Sequence, residues 1–224
     1  GKTIGAQAAT TKLEIISKIP DVNAVSLQSV LDLIKEVSST STGELKIGFL
    51  GTASQSFLSD FVMGFTASHP QIKLSMTSDA LDILVKQLND GLTDLAFVTH
   101  VDKNYLIGLE SKTIMKSPLI AVMHPTHALA NRDSLSIKDL SGFPMINFSP
   151  QANPITSDFN KQIFKKAGAQ LNIVREIPNI ETAAFCASIN EGIFIMPEYL
   201  RSSIGSLKTI PLSDPFAYVT LNLI

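Results

Sequence analysis

Residues 43–98 constrain the fold more than any other stretch, because three short apolar runs alternate there with two helical patterns. The runs at 45–50, 72–76 and 95–98 are too short for buried helices and predict strands. Capping residues precede each helical pattern, and Pro70 ends the first of them. The resulting β-α-β-α-β order predicts half of an open parallel sheet, in which ligands bind at the carboxyl ends of the strands.

The same order of elements recurs between residues 144 and 196. Strands are predicted at 144–148, 173–177 and 193–196, with helices at 157–167 and 183–189 between them. Asn190-Glu191-Gly192 echoes Asn89-Asp90-Gly91 of the first half. The repeat predicts the α/β class, with two Rossmann-like lobes in a periplasmic-binding-protein-like architecture of type 2. Two last strands, at 207–210 and 217–223, are expected to return to the first lobe.

Two amphipathic helical patterns precede the first strand. One covers residues 1–19 and stops at Pro20, and the other has a single apolar face made of Leu27, Val30, Leu31, Ile34 and Val37. A short polar linker, residues 38–43, follows. Because the chain begins with Gly1 rather than Met, we expect it to be a piece of a longer protein.

The composition argues against several classes of protein. Hydrophobic residues make up 45% of the 224 residues and charged residues 17%, as in a globular chain. The net charge of −2 argues against a nucleic-acid-binding surface within this piece. The single cysteine, Cys186, lies in an apolar helical pattern, which predicts an inert buried thiol in a reducing compartment. No apolar run is as long as a membrane span, so no membrane partner is expected.

Catalytic and cofactor signatures are missing from the sequence. It has no phosphate-binding loop, no dinucleotide fingerprint, no paired-histidine zinc motif and no nucleophile elbow. His124 and His127 are three residues apart, but no third or fourth ligand is near them in the sequence, so a solvated turn is favoured over a metal site. We therefore predict that the chain is not an enzyme and needs no cofactor and no metal.

The candidate ligand-binding residues share one position: they follow predicted strands or open the helices after them, where unpaired N–H groups attract polar oxygens. In the first lobe they are Thr52, Ala53, Ser54, Gln55, Ser78, Thr99 and His100. In the second lobe they are Phe148, Ser149, Gln151, Asn179, Glu181 and Thr182. For each Ser and Thr, helix capping alone is the alternative, and for His100 a hydrogen bond to the segment that crosses between the lobes. A lightly charged cleft between the lobes would suit a small metabolite, with a carboxylate as one candidate.

Three motifs of the first lobe resemble the effector-binding region of LysR-type transcriptional regulators. They are Gly43-Glu44-Leu45-Lys46-Ile47-Gly48, Pro70-Gln71-Ile72-Lys73-Leu74 and Leu88-Asn89-Asp90-Gly91-Leu92-Thr93-Asp94-Leu95-Ala96. The resemblance implies a small-molecule effector bound between the lobes, a homodimer or homotetramer, and a cytoplasmic protein. It also implies contact with promoter DNA through a winged helix-turn-helix that these residues do not contain.

The resemblance also assigns a role to each part of the chain. Residues 1–43 would be linker and dimerisation helices, 44–115 with 207–224 lobe I, and 116–206 lobe II of the effector-binding domain. Pro20 and the additional helix at 25–37 depart from the single linker helix of the family.

The alternative function is a solute-binding protein of a transporter, which shares the fold. Residues 1–37 favour the regulator, because a secreted binding protein does not need them. A two-lobed enzyme is a third class, but no acid–base pair can be identified for it in the sequence.

Overall fold

The first strands and helices follow the predicted β-α-β-α-β order. They belong to a computed structural model that describes residues 43–50, 55–68, 70–99, 106 and 108–224. The described chain divides into unit 1, which runs to Lys116 and includes Thr220–Ile224, and unit 2, Ser117–Val219. Among the described helices, none is both long and apolar enough to cross a membrane. The helices predicted within residues 1–42 lie outside the described part of the chain.

Unit 1 is built on a central strand, β1, with a parallel neighbour on each side. Its elements are β1 (Gly43–Phe49), α1 (Gln55–Ser68), β2 (Ile72–Ser78), α2 (Leu81–Asn89) and β3 (Leu95–Thr99). β1 pairs in parallel with β2 and with β3. The other edge of β3 pairs antiparallel with β9 (Tyr218–Leu223). The predicted parallel half-sheet is confirmed.

The two faces of the unit 1 sheet pack differently. On one face Ile47, Phe65 and Phe97 belong to a buried apolar cluster that includes residues of α1. On the other face α2 lies close above Gly48, where an added Cβ would come within 2.6 Å of Leu84 Cδ2. The lack of a side chain at Gly48 therefore lets α2 approach the sheet closely.

Asp94 ties the start of β3 to β1. Its Oδ2 accepts a hydrogen bond from the backbone N–H of Lys46 at 2.9 Å. Its own N–H donates to the Lys46 carbonyl at 2.8 Å. Three residues earlier, Gly91 turns the chain with a φ of +69°, which glycine adopts at no steric cost. The glycine and the aspartate of this motif are thus structural residues.

Unit 2 combines an antiparallel set of strands with a parallel pair. Its elements are the second half of β4 (Lys112–Met123), β5 (Pro144–Phe148), α3 (Pro154–Ala167), β6 (Asn172–Ile177), α4 (Ile180–Ser188), β7 (Phe194–Pro197) and β8 (Lys208–Pro211). Two 3₁₀ segments cover Ile137–Leu140 and Glu198–Ile204. β4 pairs antiparallel with β7 and β8, whereas β5 and β6 pair in parallel. The order β5-α3-β6-α4-β7 confirms the predicted repeat.

The return to the first lobe occurs later than the sequence predicts. β8 pairs with residues 120–123 of β4, and unit 1 resumes only at Thr220. Ile210 and Leu212 are buried in the main apolar cluster of unit 2, which keeps this stretch there. The assignment of 207–219 to lobe I is therefore wrong. The assignment of 1–43 to linker helices stays a prediction.

Two element boundaries also differ from the sequence predictions. α3 begins at Pro154 rather than at 157, because Asn153 caps it by accepting the Thr156 N–H at 3.1 Å. Proline suits the first turn of a helix, where its missing N–H is not needed. The apolar run at 119–123 predicts a strand there. β4 already begins at Lys112, where Thr113 Oγ1 donates to Asn222 Oδ1 of β9 at 2.7 Å.

Candidate ligand-binding site

The carboxyl ends of the unit 1 strands place two predicted site residues on either side of β1. Ser78, which is exposed, ends β2 and pairs with Phe49 of β1. Thr99 is half-buried and ends β3. Phe49 pairs with Phe97 in this strand, so Thr99 lies two residues beyond that pair. One strand and a two-residue offset therefore separate Ser78 from Thr99, which is a distance of about 12 Å.

Asp79 is held by Gln87 instead of capping α2. Gln87 Nε2 donates to Asp79 Oδ2 at 2.9 Å, and Gln87 Oε1 accepts from Thr93 Oγ1 at 3.2 Å. The sequence Thr77-Ser78-Asp79 predicts side-chain capping of α2. The N-cap is Ala80 instead, which makes no side-chain cap bond, so this prediction is wrong. The contact fixes the loop that follows Ser78. Sequence reasoning missed it because Gln87 lies two helical turns from that loop.

In unit 2 two predicted loops lie side by side at the ends of β5 and β6. Phe148 pairs with Ile177, and the Ser149 N–H donates to the Ile177 carbonyl at 2.8 Å. Ser149 and Gln151 follow β5, whereas the loop after β6 carries Asn179, Glu181 and Thr182. The structure therefore brings the predicted polar residues of unit 2 to one edge of this parallel pair.

Several of these polar side chains also make local hydrogen bonds. Ser149 Oγ donates to Gln151 Oε1 at 2.9 Å and accepts the Ala152 N–H at 3.3 Å. Asn179 is the N-cap of α4, since its Oδ1 accepts the N–H and the Oγ1–H of Thr182 at 2.9 and 2.7 Å. Asn179 thus caps α4, and contact with a ligand stays a prediction for all of these residues.

The remaining predicted site residues fall into two groups. Thr52, Ala53, Ser54 and His100 lie outside the described residues, and Gln55 is described only as the first residue of α1. The ring of Phe148 belongs to an apolar cluster with Ile146 and Ile177, so this side chain packs in the core of unit 2.

A buried polar network positions α3 next to the loop that follows β5. Asn160 Nδ2 donates to Asn147 Oδ1 at 2.8 Å, and Asn147 Nδ2 donates to Ser157 Oγ at 3.4 Å. All three residues are buried. The sequence does contain a signal for this network, because Asn147 is a polar residue in an otherwise apolar strand.

Other titratable side chains of unit 2 have structural roles. Burial raises the pKa of the Cys186 thiol, and a hydrogen bond with Glu191 raises it further. Arg175 Nε donates to Glu191 Oε1 at 2.8 Å, and this hydrogen bond contributes most to the lowered pKa of the Glu191 carboxyl. In the part of the chain that the structure describes, no three His, Cys, Asp or Glu side chains are grouped to hold a metal ion.

The fold and its strand-end loops define an α/β domain of the type 2 periplasmic-binding-protein-like class. Residues 38–224 match the family described as "LysR substrate binding domain". This chain belongs to that family, and the resemblance carried by the three motifs is confirmed.

Similar proteins of known sequence are transcriptional regulators. The regulator AlsR of Bacillus subtilis (strain 168) is 26% identical over 168 residues, which are 75% of this chain and 55% of that protein. The uncharacterised regulator YwbI of the same strain is 24% identical over 184 residues, which are 81% of this chain and 60% of that protein. The chain thus spans little more than half of the length of these relatives.

Similar solved structures are effector-binding domains. The BenM effector-binding domain with its effector benzoate has a TM-score of 0.75 at 19% identity, over 82% of this chain and 83% of that one. The effector-binding domain of QuiR in complex with shikimate has a TM-score of 0.66 at 23% identity, over 81% of this chain and 87% of that one. At these identities the likeness establishes the fold.

Proposed function

We propose that this chain is the effector-binding part of a LysR-type transcriptional regulator and that it acts by reversible binding rather than by catalysis. The match over residues 38–224 and the regulators among its relatives support this proposal. The regulator works in the cytoplasm as a homodimer or homotetramer. It contacts promoter DNA through a helix-turn-helix domain outside the present sequence.

The effector of this proposal is a small molecule that carries a carboxylate. Hydroxyl and amide side chains gather at the carboxyl ends of the strands in each unit, at Ser78 and Thr99 and at Ser149 and Asn179, and this observation carries the proposal. Donors of this kind suit carboxylate oxygens, which accept strong hydrogen bonds. The effectors named for the BenM and QuiR domains, benzoate and shikimate, are both carboxylates.

Regulation follows from differential binding. An effector shifts an equilibrium between two arrangements of the protein only when it binds one of them more tightly. The loop after Ser78 is hydrogen-bonded through Asp79 to Gln87 of α2. A ligand that displaces this loop would therefore also displace α2. The DNA-binding domain would report the resulting change.

Thermal unfolding in the presence of small acids tests the effector class. Benzoate and shikimate would be compared with benzamide, which keeps the benzoate ring and lacks the charge. A ligand at 100 times its dissociation constant adds about 2.7 kcal/mol of stability, so a bound acid raises Tm and its amide does not. Equal effects of acid and amide, or no effect across a wider panel of small carboxylates, would contradict the carboxylate proposal.

Matched serine variants test the site. Ser78→Ala and Ser149→Ala should weaken binding of an acid that raises Tm. Ser134→Ala, at an exposed position outside the predicted loops, serves as the control. A loss of affinity in the Ser134 variant as large as in the other two would argue against both assignments.

The genomic reading frame upstream of Gly1 tests the regulator itself. A basic helix-turn-helix encoded there would support the proposal. A secretion signal in its place would overturn it and support the solute-binding protein instead.

A further inference from the structure

The side-chain hydroxyl of Tyr199 lacks a hydrogen-bond partner. Its oxygen is buried and has no donor or acceptor within hydrogen-bond distance in the part of the chain that the structure describes. The residue as a whole is half-buried, and its ring packs against the main apolar cluster of unit 2. Buried polar groups are nearly always hydrogen-bonded, so this hydroxyl calls for a partner from outside the chain.

Tyr199 lies at the same edge of unit 2 as the predicted loops. β7 runs parallel to β5, since Ile193 pairs in parallel with Met145. Continuing that register brings Pro197, the last residue of β7, level with Ser149, which follows β5. Tyr199 comes two residues later, so its Cα lies roughly 8–10 Å from that of Ser149. The third parallel strand of unit 2 therefore ends beside the loops after β5 and β6.

The sequence repeat gives the same position to a predicted site residue of unit 1. There β3 lies beside β1, pairs antiparallel with β9 and ends at Thr99. In unit 2 β7 lies beside β5 and pairs antiparallel with β4. Sequence reasoning included the end of β3 in the candidate site but not the end of β7, because Pro197-Glu198-Tyr199 contains no Ser, Thr or Asn.

We propose that Tyr199 is a further effector-binding residue, whose hydroxyl donates a hydrogen bond to an oxygen atom of the effector at this edge of unit 2. The inference rests on the proposed function, because it needs an effector that binds beside Ser149 and Asn179. It also narrows the ligand chemistry, since the effector must carry an acceptor oxygen where it meets the end of β7.

The surroundings of Tyr199 favour a donor role. Burial raises the pKa of the phenol, so it stays protonated and can donate. α3 and α4 both begin at this edge, after Asn153 and Asn179, and the amino-terminal ends of helices attract negatively charged oxygens. Glu181 and Glu198 also lie at this edge, but both are exposed, so water weakens their repulsion of an acid. A carboxylate or hydroxyl oxygen of a ligand therefore suits this position.

Burial of the hydroxyl links ligand contact to a change of conformation. The ligand can reach the oxygen only in an arrangement in which the side chains that cover it have moved. A ligand that makes this hydrogen bond therefore favours the uncovered arrangement over the covered one. The hydroxyl raises the free energy of the unliganded protein and lowers that of the complex, so its removal should have opposite effects on stability and affinity.

The variant Tyr199→Phe tests the proposal, because it removes the hydroxyl and keeps the ring. Isothermal titration calorimetry would measure the binding of benzoate, shikimate and a wider panel of small carboxylates, and Tm would be measured without ligand. An acid that binds the native chain should bind the variant at least about tenfold more weakly, because a hydrogen bond from a buried donor is lost. The unliganded variant should have the higher Tm. Ser134→Ala, at an exposed position outside the predicted loops, is the control and should change neither quantity.

The outcomes separate this inference from the proposal on which it rests. Equal affinities of the native chain and Tyr199→Phe for a bound acid would overturn the contact with Tyr199 and leave the effector-binding proposal intact. No binding of any acid to the native chain would overturn the carboxylate proposal and the contact together. Weaker binding with a lower Tm would show that the hydroxyl has a partner in the unliganded protein, such as a water molecule, and would also overturn the inference.

Fluorine NMR gives a second measurement, which reports on the side chain itself. The chain has three tyrosines, so after incorporation of 3-fluorotyrosine the resonance of residue 199 is the one that disappears in Tyr199→Phe. A saturating acid should shift this resonance, because the hydroxyl beside the fluorine changes from unpartnered to hydrogen-bonded. A resonance that stays unchanged while the acid binds would contradict the proposed contact.

Discussion

At the scale of single residues, the side-chain hydroxyl of Tyr199 does not contribute to the stability of unit 2. Its hydroxyl is buried and has no hydrogen-bond partner in the described structure, while its ring packs against the main apolar cluster of unit 2. Burial raises the pKa of Tyr199, so the phenol stays neutral. The ring therefore contributes to stability and the hydroxyl reduces it.

Replacing Tyr199 by Phe should raise the free energy of unfolding by about 1 kcal/mol, because the desolvation cost of the hydroxyl disappears. Urea unfolding followed by fluorescence or circular dichroism would measure the change. Tyr199→Leu is the control and should lower stability, since it removes the ring as well. A Phe variant less stable than the native protein would show that the hydroxyl has a partner.

His127 links the stability of unit 2 to pH. Its Nδ1 accepts the Leu129 N–H at 3.2 Å, and its half-buried ring lies 5.3 Å from that of Phe143. Burial lowers the pKa of His127 below its ordinary value of 6.5, so the folded protein binds a proton less readily than the unfolded chain. The contribution of the neutral ring is complete above pH 6.5 and is lost as the pH falls through the folded pKa.

The variant His127→Asn should reduce this pH dependence, because the asparagine Oδ1 can replace the Nδ1 acceptor and does not titrate. The urea midpoint of the native protein should fall more steeply than that of the variant as the pH is lowered from 6.5. Parallel pH profiles for the two proteins would assign the acid sensitivity to other groups.

Gly91 and Gly192 occupy equivalent positions in the sequence repeat but have different structural roles. In unit 1 Gly91 supplies the left-handed conformation after α2, with a φ of +69°. In unit 2 Asn190 supplies it, with a φ of +59°, and Gly192 is needed for another reason. An added Cβ at Gly192 would lie 2.7 Å from the Pro144 carbonyl oxygen. Asparagine tolerates the left-handed region, which explains how the position of the glycine could shift.

At the scale of elements, two glycines allow close approach of neighbouring segments. Gly192 leads into β7 and faces the backbone of β5, where the Ile193 N–H donates to the Pro144 carbonyl at 2.9 Å. Gly48 faces the end of the Leu84 side chain on α2. The backbone of Pro144 beside Gly192 can move only if β5 moves with it. The end of the Leu84 side chain beside Gly48 can instead rotate.

Gly192→Ala should therefore destabilise the protein by about 1–3 kcal/mol, as overpacking of a well-packed interior usually does. Gly48→Ala is the comparison and should cost less, because Leu84 can adjust. Urea unfolding of both variants would give the order. An equal or larger loss for Gly48→Ala would mean that the contact between α2 and β1 is the more rigid of the two.

The period of the apolar residues was sufficient to predict most strands and helices of both units. It failed where a helix cap, or a contact far away in sequence, determines the boundary or the place of an element. The start of α3 depends on Asn153 and Pro154, which resemble a loop, and the place of β8 depends on its pairing with β4. For the site, the positions of Ser78, Ser149 and Asn179 at strand ends followed from topology. The contact of Gln87 with Asp79, which fixes the loop after Ser78, is one that no spacing rule indicates, whereas the cap made by Asn179 follows the ordinary N-cap spacing.

At the scale of the whole molecule, unit 2 is one continuous segment and unit 1 is not. Thr220–Ile224 belong to unit 1, and Leu221, Leu223 and Ile224 are buried there. Ile224 exchanges two hydrogen bonds with Ala96 of β3, at 2.8 and 2.9 Å. Five residues therefore complete a sheet that the rest of unit 1 leaves open at β3.

Deletion of residues 220–224 should unfold unit 1 and leave unit 2 folded. Hydrogen exchange would show lost protection in β1 and β3 and retained protection in β5 and β7. The control is Ser213→Ala, seven residues before the deleted segment. It should change neither unit, because this exposed side chain makes only one hydrogen bond, of 3.3 Å, to the Leu135 carbonyl. Loss of protection in both units after the deletion would mean that they fold as one cooperative body.

The late position of β9 also sets the order in which a ribosome can complete the two units. Every residue of Ser117–Val219 is synthesised before Thr220, so unit 2 can fold while β3 still lacks its antiparallel neighbour. About 120 residues separate β3 from β9, which is roughly 10 s of translation at 5–20 residues per second. During that interval a nascent chain exposes an unpaired strand edge of the kind that promotes aggregation. Slow or interrupted translation of unit 2 would therefore be harmful chiefly to unit 1.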